Sequence, residues 1–329
     1  MISVKELTKK YSRNLAVDHI SFEVQKGEIV GFLGPNGAGK TTTMRMLTCF
    51  LPPSAGTASV AGFDILEQPL EVKRRIGYLP ETPPLYPEMD TESYLAFVAR
   101  LKGVSKSDLP KRVDYVCERC SIGDVRHKLL GKLSKGYRQR VGLAQAIIHN
   151  PDVLILDEPT AGLDPKQINE TRDLIRSLAG DHTIVLSTHI LPEVEQTCQK
   201  VVIINKGKLV ATDTVQNLQS RARGAEIMQV EVAGRNGNLE AAAVKSRLER
   251  ITGVSRVSLK QSLDSRGVFE IEGQKGFVRG DLARAVVESG WDLNELRPTA
   301  MSLEEIFLQL TQQAAPPAAE ALAAQGKQS

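Results

Sequence analysis

An α/β domain with a mainly parallel sheet over residues 1–220, followed by a small α+β domain over 225–311, is the fold this sequence predicts. Three observations carry that reading. Short β-like runs alternate with longer segments of helical period in the first part. Three of the apolar runs end directly on unusual polar clusters, as strands do at the ligand-binding edge of an open α/β sheet. After residue 220 the order changes to βαββαβ, which closes into a two-layer unit of its own.

The strands expected in the first part are Phe22–Val24, Glu28–Leu33, Ile76–Leu79, Val153–Leu156, Thr183–Ser187 and Val201–Asn205. Glu28–Leu33 runs into a glycine-rich turn and then a helical stretch over Thr42–Leu47. A helical insertion is expected over about 82–132. A loop rich in proline (Pro80, Pro83, Pro84, Pro87) leads into helical periodicity at Thr91–Leu101 and Pro110–Cys120, with Asp90 placed as an N-cap. In the second part the expected elements are strand 226–233, helix 238–251, strands 254–260 and 267–272, helix 276–289, strand 291–296 and a last helix 302–311. Residues 312–329, rich in Ala, Pro and Gln, are expected to be a disordered tail.

Composition bounds the function classes. The 329 residues suffice for about two domains, and 41% apolar with 25% charged residues is ordinary for a globular protein. Collagen-like, mucin-like and coiled-coil readings therefore fall away. A formal charge of +3 gives no basis for a nucleic-acid partner, and none is expected. No stretch approaches the ~18 apolar residues of a membrane span, and Met1-Ile-Ser-Val-Lys-Glu6 has no signal-peptide core, so a cytoplasmic chain is expected. The four cysteines (49, 117, 120, 198) lack disulfide or zinc spacing and read as incidental thiols.

Two clusters carry chemistry. Gly34-Pro35-Asn36-Gly37-Ala38-Gly39-Lys40-Thr41, with Thr42 opening the helical run, fits the phosphate-binding pattern G-x-x-x-x-G-K-[ST] between a strand and a helix. A chance match in a chain of this length is roughly one in a hundred before strand and helix are required. Its backbone N–H groups and the helix N-terminus suit phosphate oxygens; Lys40 would reach the β- and γ-phosphates, and Thr41 would ligate Mg²⁺. Val153-Leu-Ile-Leu-Asp157-Glu158 ends a fully apolar run in two carboxylates, so Asp157 fits the Mg²⁺ partner and Glu158 the group that orients or deprotonates water. A helix cap is the plainer reading for either carboxylate taken alone.

With these residues in order, residues 1–220 resemble the ATP-binding subunits of ABC transporters, which are P-loop NTPases. The discriminating stretch is Leu133-Ser134-Lys135-Gly136-Tyr137-Arg138-Gln139-Arg140, similar to the family's signature sequence. Ala161-Gly162-Leu163-Asp164 resembles the D-loop, His189 the switch histidine, Tyr11 the aromatic stacked on adenine, and Gly77-Tyr-Leu-Pro-Glu81 the Q-loop region. Two positions depart from the usual pattern. Glu81 stands where Gln is common and is a third candidate metal ligand, and the signature reads Ser-Lys-Gly-Tyr in place of Ser-Gly-Gly-Gln. These variants, with the small second domain, resemble the ABC-2-type exporter branch that groups gliding-motility with multidrug and antibiotic export proteins.

The resemblance implies a Mg-dependent ATPase with Glu158 and His189 as catalytic residues. It also implies a nucleotide-sandwich dimer, in which Leu133, Ser134, Lys135, Gly136 and Tyr137 act on the ATP of a facing copy. A separately encoded membrane permease would hold the subunit peripherally at the inner face of the cytoplasmic membrane. Two alternatives stand beside it: a soluble ABC ATPase outside transport, and a regulatory subunit that hydrolyses poorly because of Glu81 and Tyr137.

Overall fold

In the computed structural model, all residues are described except 13, 222–225, 235–238, 264, 275–277, 300–303, 305 and 308–329. The chain divides into two compact units, Met1–Val215 and Gln216–Gln309.

The first unit is built on a six-stranded sheet of β3 (Ile29–Leu33), β6 (Ile76–Leu79), β7 (Val153–Asp157), β8 (Thr183–Thr188), β9 (Lys200–Asn205) and β10 (Lys208–Thr214), in the order β10-β9-β3-β8-β7-β6. All pairings are parallel except β10 with β9. Every residue of β3, β7 and β8 is buried. A strand covered on both faces has no polar side to show, which is why Ile29–Leu33, Val153–Leu156 and Ile184–Leu186 within them read as apolar runs. Register aligns their carboxyl ends, pairing Leu33 with Thr188 and Asp157 with Ser187. The three polar clusters therefore emerge at one edge.

A second, antiparallel sheet has the order β2-β1-β4-β5, from β1 (Ile2–Tyr11), β2 (Asn14–Val24), β4 (Ala55–Val60) and β5 (Phe63–Asp64). Sequence reading found only the end of β2. In β1 the alternation of buried and exposed positions is broken by register shifts between Val4 and Lys10, and Glu6 sits at φ 49°. A bulged strand loses the period of two on which such readings rest. Between the two sheets lies α1 (Lys40–Leu47), its Met44, Met46 and Leu47 buried in a cluster with Leu7, Val17 and Ile20 of one sheet and Val30, Ile155 and Val185 of the other. Phe22 and Phe32 meet across it at 5.5 Å.

After α2 (Pro69–Arg75), which the sequence reading lacked, the insertion supplies α3 (Thr91–Leu101) and α4 (Leu109–Arg119), and α5 (Lys135–Ile147) follows it. Asp90 caps α3 by accepting from Ser93 N at 2.9 Å. The unit continues through α6 (Pro165–Ser177) and α7 (Leu191–Thr197), and α8 (Val215–Arg221) follows β10. Cys117, Cys120 and Cys198 are buried free thiols, and burial pushes that of Cys120 up to about 12.

The second unit runs β11 (Glu226–Gly234), α9 (Ala241–Glu249), β12 (Val254–Leu263), β13 (Arg266–Gly273), α10 (Arg279–Glu288) and β14 (Trp291–Thr299). Its sheet is antiparallel in the order β12-β13-β11-β14. In β13, Val268, Glu270 and Glu272 are partly exposed and alternate with buried Phe269, Ile271 and Gly273. Phe269 and Ile271 pack with Val244, Leu248, Leu282 and Val286 of the two helices. Of the helix expected over 302–311 only Glu304, Ile306 and Phe307 are described, as helical; the tail from 312 lies outside the described residues.

Candidate active site

At the end of β3 the chain wraps through Gly34–Gly39 into α1. Gly39 sits at φ 107°, and a Cβ there would come 2.6 Å from the Ala16 carbonyl. No other residue type fits both the left-handed backbone and that contact. Lys40, 6% exposed, donates to Gly34 O at 2.8 Å and Pro35 O at 3.3 Å, and its Nζ lies 3.4 Å from Glu158 Oε1.

Asp157 and Glu158 leave β7 with different partners. Asp157, 1% exposed, accepts from Thr41 Oγ1 at 3.3 Å and from the Ser187 hydroxyl. Glu158 adopts φ 49°, an uncommon conformation for a non-glycine residue, and its N–H is pinned by Ser187 through O at 3.0 Å and Oγ at 3.2 Å. The resulting bend turns its carboxylate toward Lys40 and toward His189, whose Nδ1 is 2.9 Å from Glu158 Oε2. His189 follows β8 directly and is about half exposed. Burial, followed by the charge of Asp157, pushes the phenol of Tyr78 on β6 up to about 12.

A cavity of about 620 Å³ is lined by Tyr11, Asn14, Leu15, Ala16, Asn36, Gly37, Gly39, Lys40, Thr41, Thr42, Glu81, Glu158, Lys206 and Gly207; Asp157 and His189 are not in its lining and join it through Thr41 and Glu158. Tyr11, Glu81 and the phosphate-loop residues thus share one space. Five lining residues escaped the sequence reading. Asn14, Leu15 and Ala16 open β2, where no motif marks them. Lys206-Gly207 is the turn between β9 and β10, legible only as a hairpin. Ser187, polar at the end of an apolar strand, did carry a signal that was not used.

Leu133, Ser134, Lys135, Gly136 and Tyr137 of the signature stretch do not line this cavity. Ser134 caps α5, accepting from Tyr137 N at 3.3 Å, and Tyr137 donates its hydroxyl to Asp124 at 2.5 Å, which raises the phenol above its ordinary range. Gly136 packs against α6, where a Cβ would meet Gln167 Oε1 at 2.5 Å. Asp164 caps α6 by accepting from Gln167 N at 2.9 Å, and Arg140 pairs with Glu170. The signature helix thus meets the D-loop helix at Gly136–Gln167 and Arg140–Glu170.

Comparison with known proteins gives the same picture. The ABC transporter family profile matches residues 17–161. The bacitracin transport ATP-binding protein BcrA of Bacillus licheniformis is 36% identical over 312 residues, covering 94% of this chain and 97% of the relative. The chain belongs to the ATP-binding subunits of ABC transporters. The daunorubicin resistance ATP-binding protein DrrA3 of Streptomyces coeruleorubidus is 33% identical over 94% of this chain and 95% of its own length. A solved ATP-binding subunit of an ABC transporter superposes with a TM-score of 0.63 at 30% identity, covering 68% of this chain and 93% of that one. This ABC subunit is accordingly an ATP-binding, ATP-hydrolysing protein.

Proposed function

We propose that the subunit powers export through a separately encoded permease, as a head-to-tail pair of copies holding two ATP molecules between them. The observation that carries this reading is the separation of Ser134 and Gly136 from the cavity around Lys40: a site needing both kinds of residue requires two chains. Export agrees with the printed roles of the relatives, bacitracin transport and daunorubicin resistance.

Within each site, Tyr11 stacks on the adenine and the loop from Gly34 to Thr42 receives the phosphates. Lys40 is held among carbonyls and the Glu158 carboxylate until phosphate oxygens take their place. Thr41 and Asp157 offer a hydroxyl and a carboxylate 3.3 Å apart, the hard oxygen donors that suit Mg²⁺ shared with nucleotide phosphates; Glu81 borders the same space. Mg²⁺, when bound, neutralises charge on the phosphate oxygens. Glu158 orients or deprotonates the attacking water, and His189 fixes the Glu158 carboxylate.

Among the described residues no helix is long and apolar enough to cross a membrane. In the proposed arrangement the permease holds the subunit at the inner face of the cytoplasmic membrane. A second groove of about 440 Å³, lined by Arg45, Phe50, Tyr78, Pro80, Thr82, Pro84 and Gln145, is the surface we assign to it. There Phe50 leaves 75% of its area exposed.

The test combines two variants. Glu158→Gln should stop turnover yet still give ATP-dependent dimers, and Gly136→Asp should prevent those dimers while a single chain keeps its ATP affinity. Loss of ATP binding by the monomer in Gly136→Asp overturns the two-chain site.

A further inference from the structure

We infer that Glu193 is the positioning residue that locks Glu158 and His189 into one geometry. The inference rests on the proposed roles of those two residues and goes one layer behind them. Glu193 lies in the first turn of α7 and is 2% exposed. An acidic residue placed there only to balance the helix dipole has no need to leave solvent. This one turns inward, and its two oxygens are met by hydroxyls rather than by a cation. Thr160 donates to Oε1 at 2.6 Å, and Thr188 donates to Oε2 at 3.0 Å.

The two threonines belong to the two segments that must stay in register for catalysis. Thr160 lies two residues beyond Glu158 on the loop leaving β7. Thr188 immediately precedes His189 at the end of β8, and its Oγ1 also accepts from Ile190 N at 3.0 Å, fixing the turn that presents the imidazole. Both threonines are buried, at 2% and 0% exposure. A single carboxylate therefore staples the Glu158 loop to the His189 turn, behind a Glu158–His189 contact of 2.9 Å that has solvent on its outer side. Burying a carboxylate costs several kcal/mol unless strong hydrogen bonds offset it, so threonine at both ends is what lets Glu193 remain inside. The arrangement is a staple with three replaceable parts.

The experiment measures kcat and KM for ATP on the full chain with Glu193→Gln, in the native and the His189→Ala backgrounds. The Gln amide keeps an acceptor for only one threonine; the hydroxyl that faces its N–H₂ must accept instead of donate, and both bonds lose their charge assistance, so the staple loosens. A misplacement of the His189 turn should lower kcat about tenfold to a hundredfold while KM changes less than about twofold. In the His189→Ala background the same substitution should cost clearly less than in the native chain, because one of the two groups it positions is gone. Thr188→Val should reproduce the loss, and Thr188→Ser should recover turnover relative to it; these two also decide the matter if Glu193→Gln folds poorly. Equal losses in both backgrounds, or a raised KM with kcat intact, overturn the inference. A normal kcat in His189→Ala overturns the assignment of His189 beneath it. A normal kcat in both Glu193→Gln and Thr188→Val, with His189→Ala impaired, overturns the staple alone.

Discussion

The two units spend their polar residues in opposite ways. In the first, Lys40, Asp157, Glu158, Ser187, Thr188 and Glu193 are buried, and among the described residues every buried polar or charged side chain lies between Thr8 and Thr197. In the second, the described interior is Met228, Val230, Val232, Val244, Leu248, Val257, Phe269, Ile271, Leu282 and Val286, while its charges pair on the surface. Burying polar groups is unfavourable for folding unless each finds a partner. In the first unit the buried charges Lys40 and Glu158 meet at 3.4 Å, with Asp157 beside them and Glu193 behind. Among the described residues of the second unit, the buried side chains are apolar and pack on one another.

The largest effect that tests this contrast is chemical. Glu158→Gln removes a general base while leaving shape and hydrogen-bonding length, so turnover should fall by about 10²- to 10⁴-fold. Steady-state ATPase assays check it, and activity within a factor of a few of the native chain breaks the assignment. The matching experiment in the second unit is mechanical. Phe269, fully buried at the centre of its core, should cost about 3–5 kcal/mol when cut to Ala. The single tryptophan, Trp291, packs against that core and reports its unfolding by fluorescence in urea. ATP affinity in Phe269→Ala should stay at the native value; a parallel loss would show that the second unit supports the first one's chemistry.

Acid should also separate the units. All five histidines lie in the first. Burial, reinforced by the charge of Lys102, lowers His149 from 6.5 to about 4. The unfolded chain then binds more protons than the folded one between those values, so stability is complete above pH 6.5 and declines as pH falls toward 4. The loss reaches about 1 kcal/mol by pH 5.5 and about 3 kcal/mol by pH 4. Urea midpoints followed by circular dichroism should show this slope, His149→Gln should flatten it, and the Trp291 transition should lack it between pH 7 and 5.5.

Much of the first unit was legible because its central strands are covered on both faces. Val153–Leu156 is apolar throughout, which makes Asp157 and Glu158 conspicuous where the run stops. The phosphate loop is legible for a related reason: left-handed backbone and close approach to Ala16 admit only glycine, so Gly39 appears as a letter in the sequence. Elements that depend on irregular backbone stayed hidden. The bulges of β1 erased its alternation, and Asn14, Leu15 and Ala16 reach the cavity by topology rather than by any residue pattern. Glu193 was hidden by ordinariness, since a glutamate in Leu-Pro-Glu-Val-Glu reads as one of two solvated acids at a helix start. The βαββαβ order of the second unit was readable because β13 keeps a clean alternation; the expected limits differ from the observed ones by at most three residues, at helix and strand ends.

The smallest expected effect is the most direct measure of the contrast. Lys260 and Glu270 meet at 2.7 Å across β12 and β13, shorter than the 3.4 Å of Lys40 and Glu158. Distance alone would rank the surface pair as the stronger. Yet the Lys260 side chain is 49% exposed and Glu270 15%, so water and salt reach the pair from the lysine side, whereas Lys40 and Glu158 are 6% and 10% exposed. Glu270→Gln should therefore cost only about 0.2–1 kcal/mol in the Trp291 transition, and less as salt is raised. A cost of several kcal/mol that persists in high salt would mean that the second unit also holds a desolvated charge pair, and its role would then need a chemical explanation rather than a packing one.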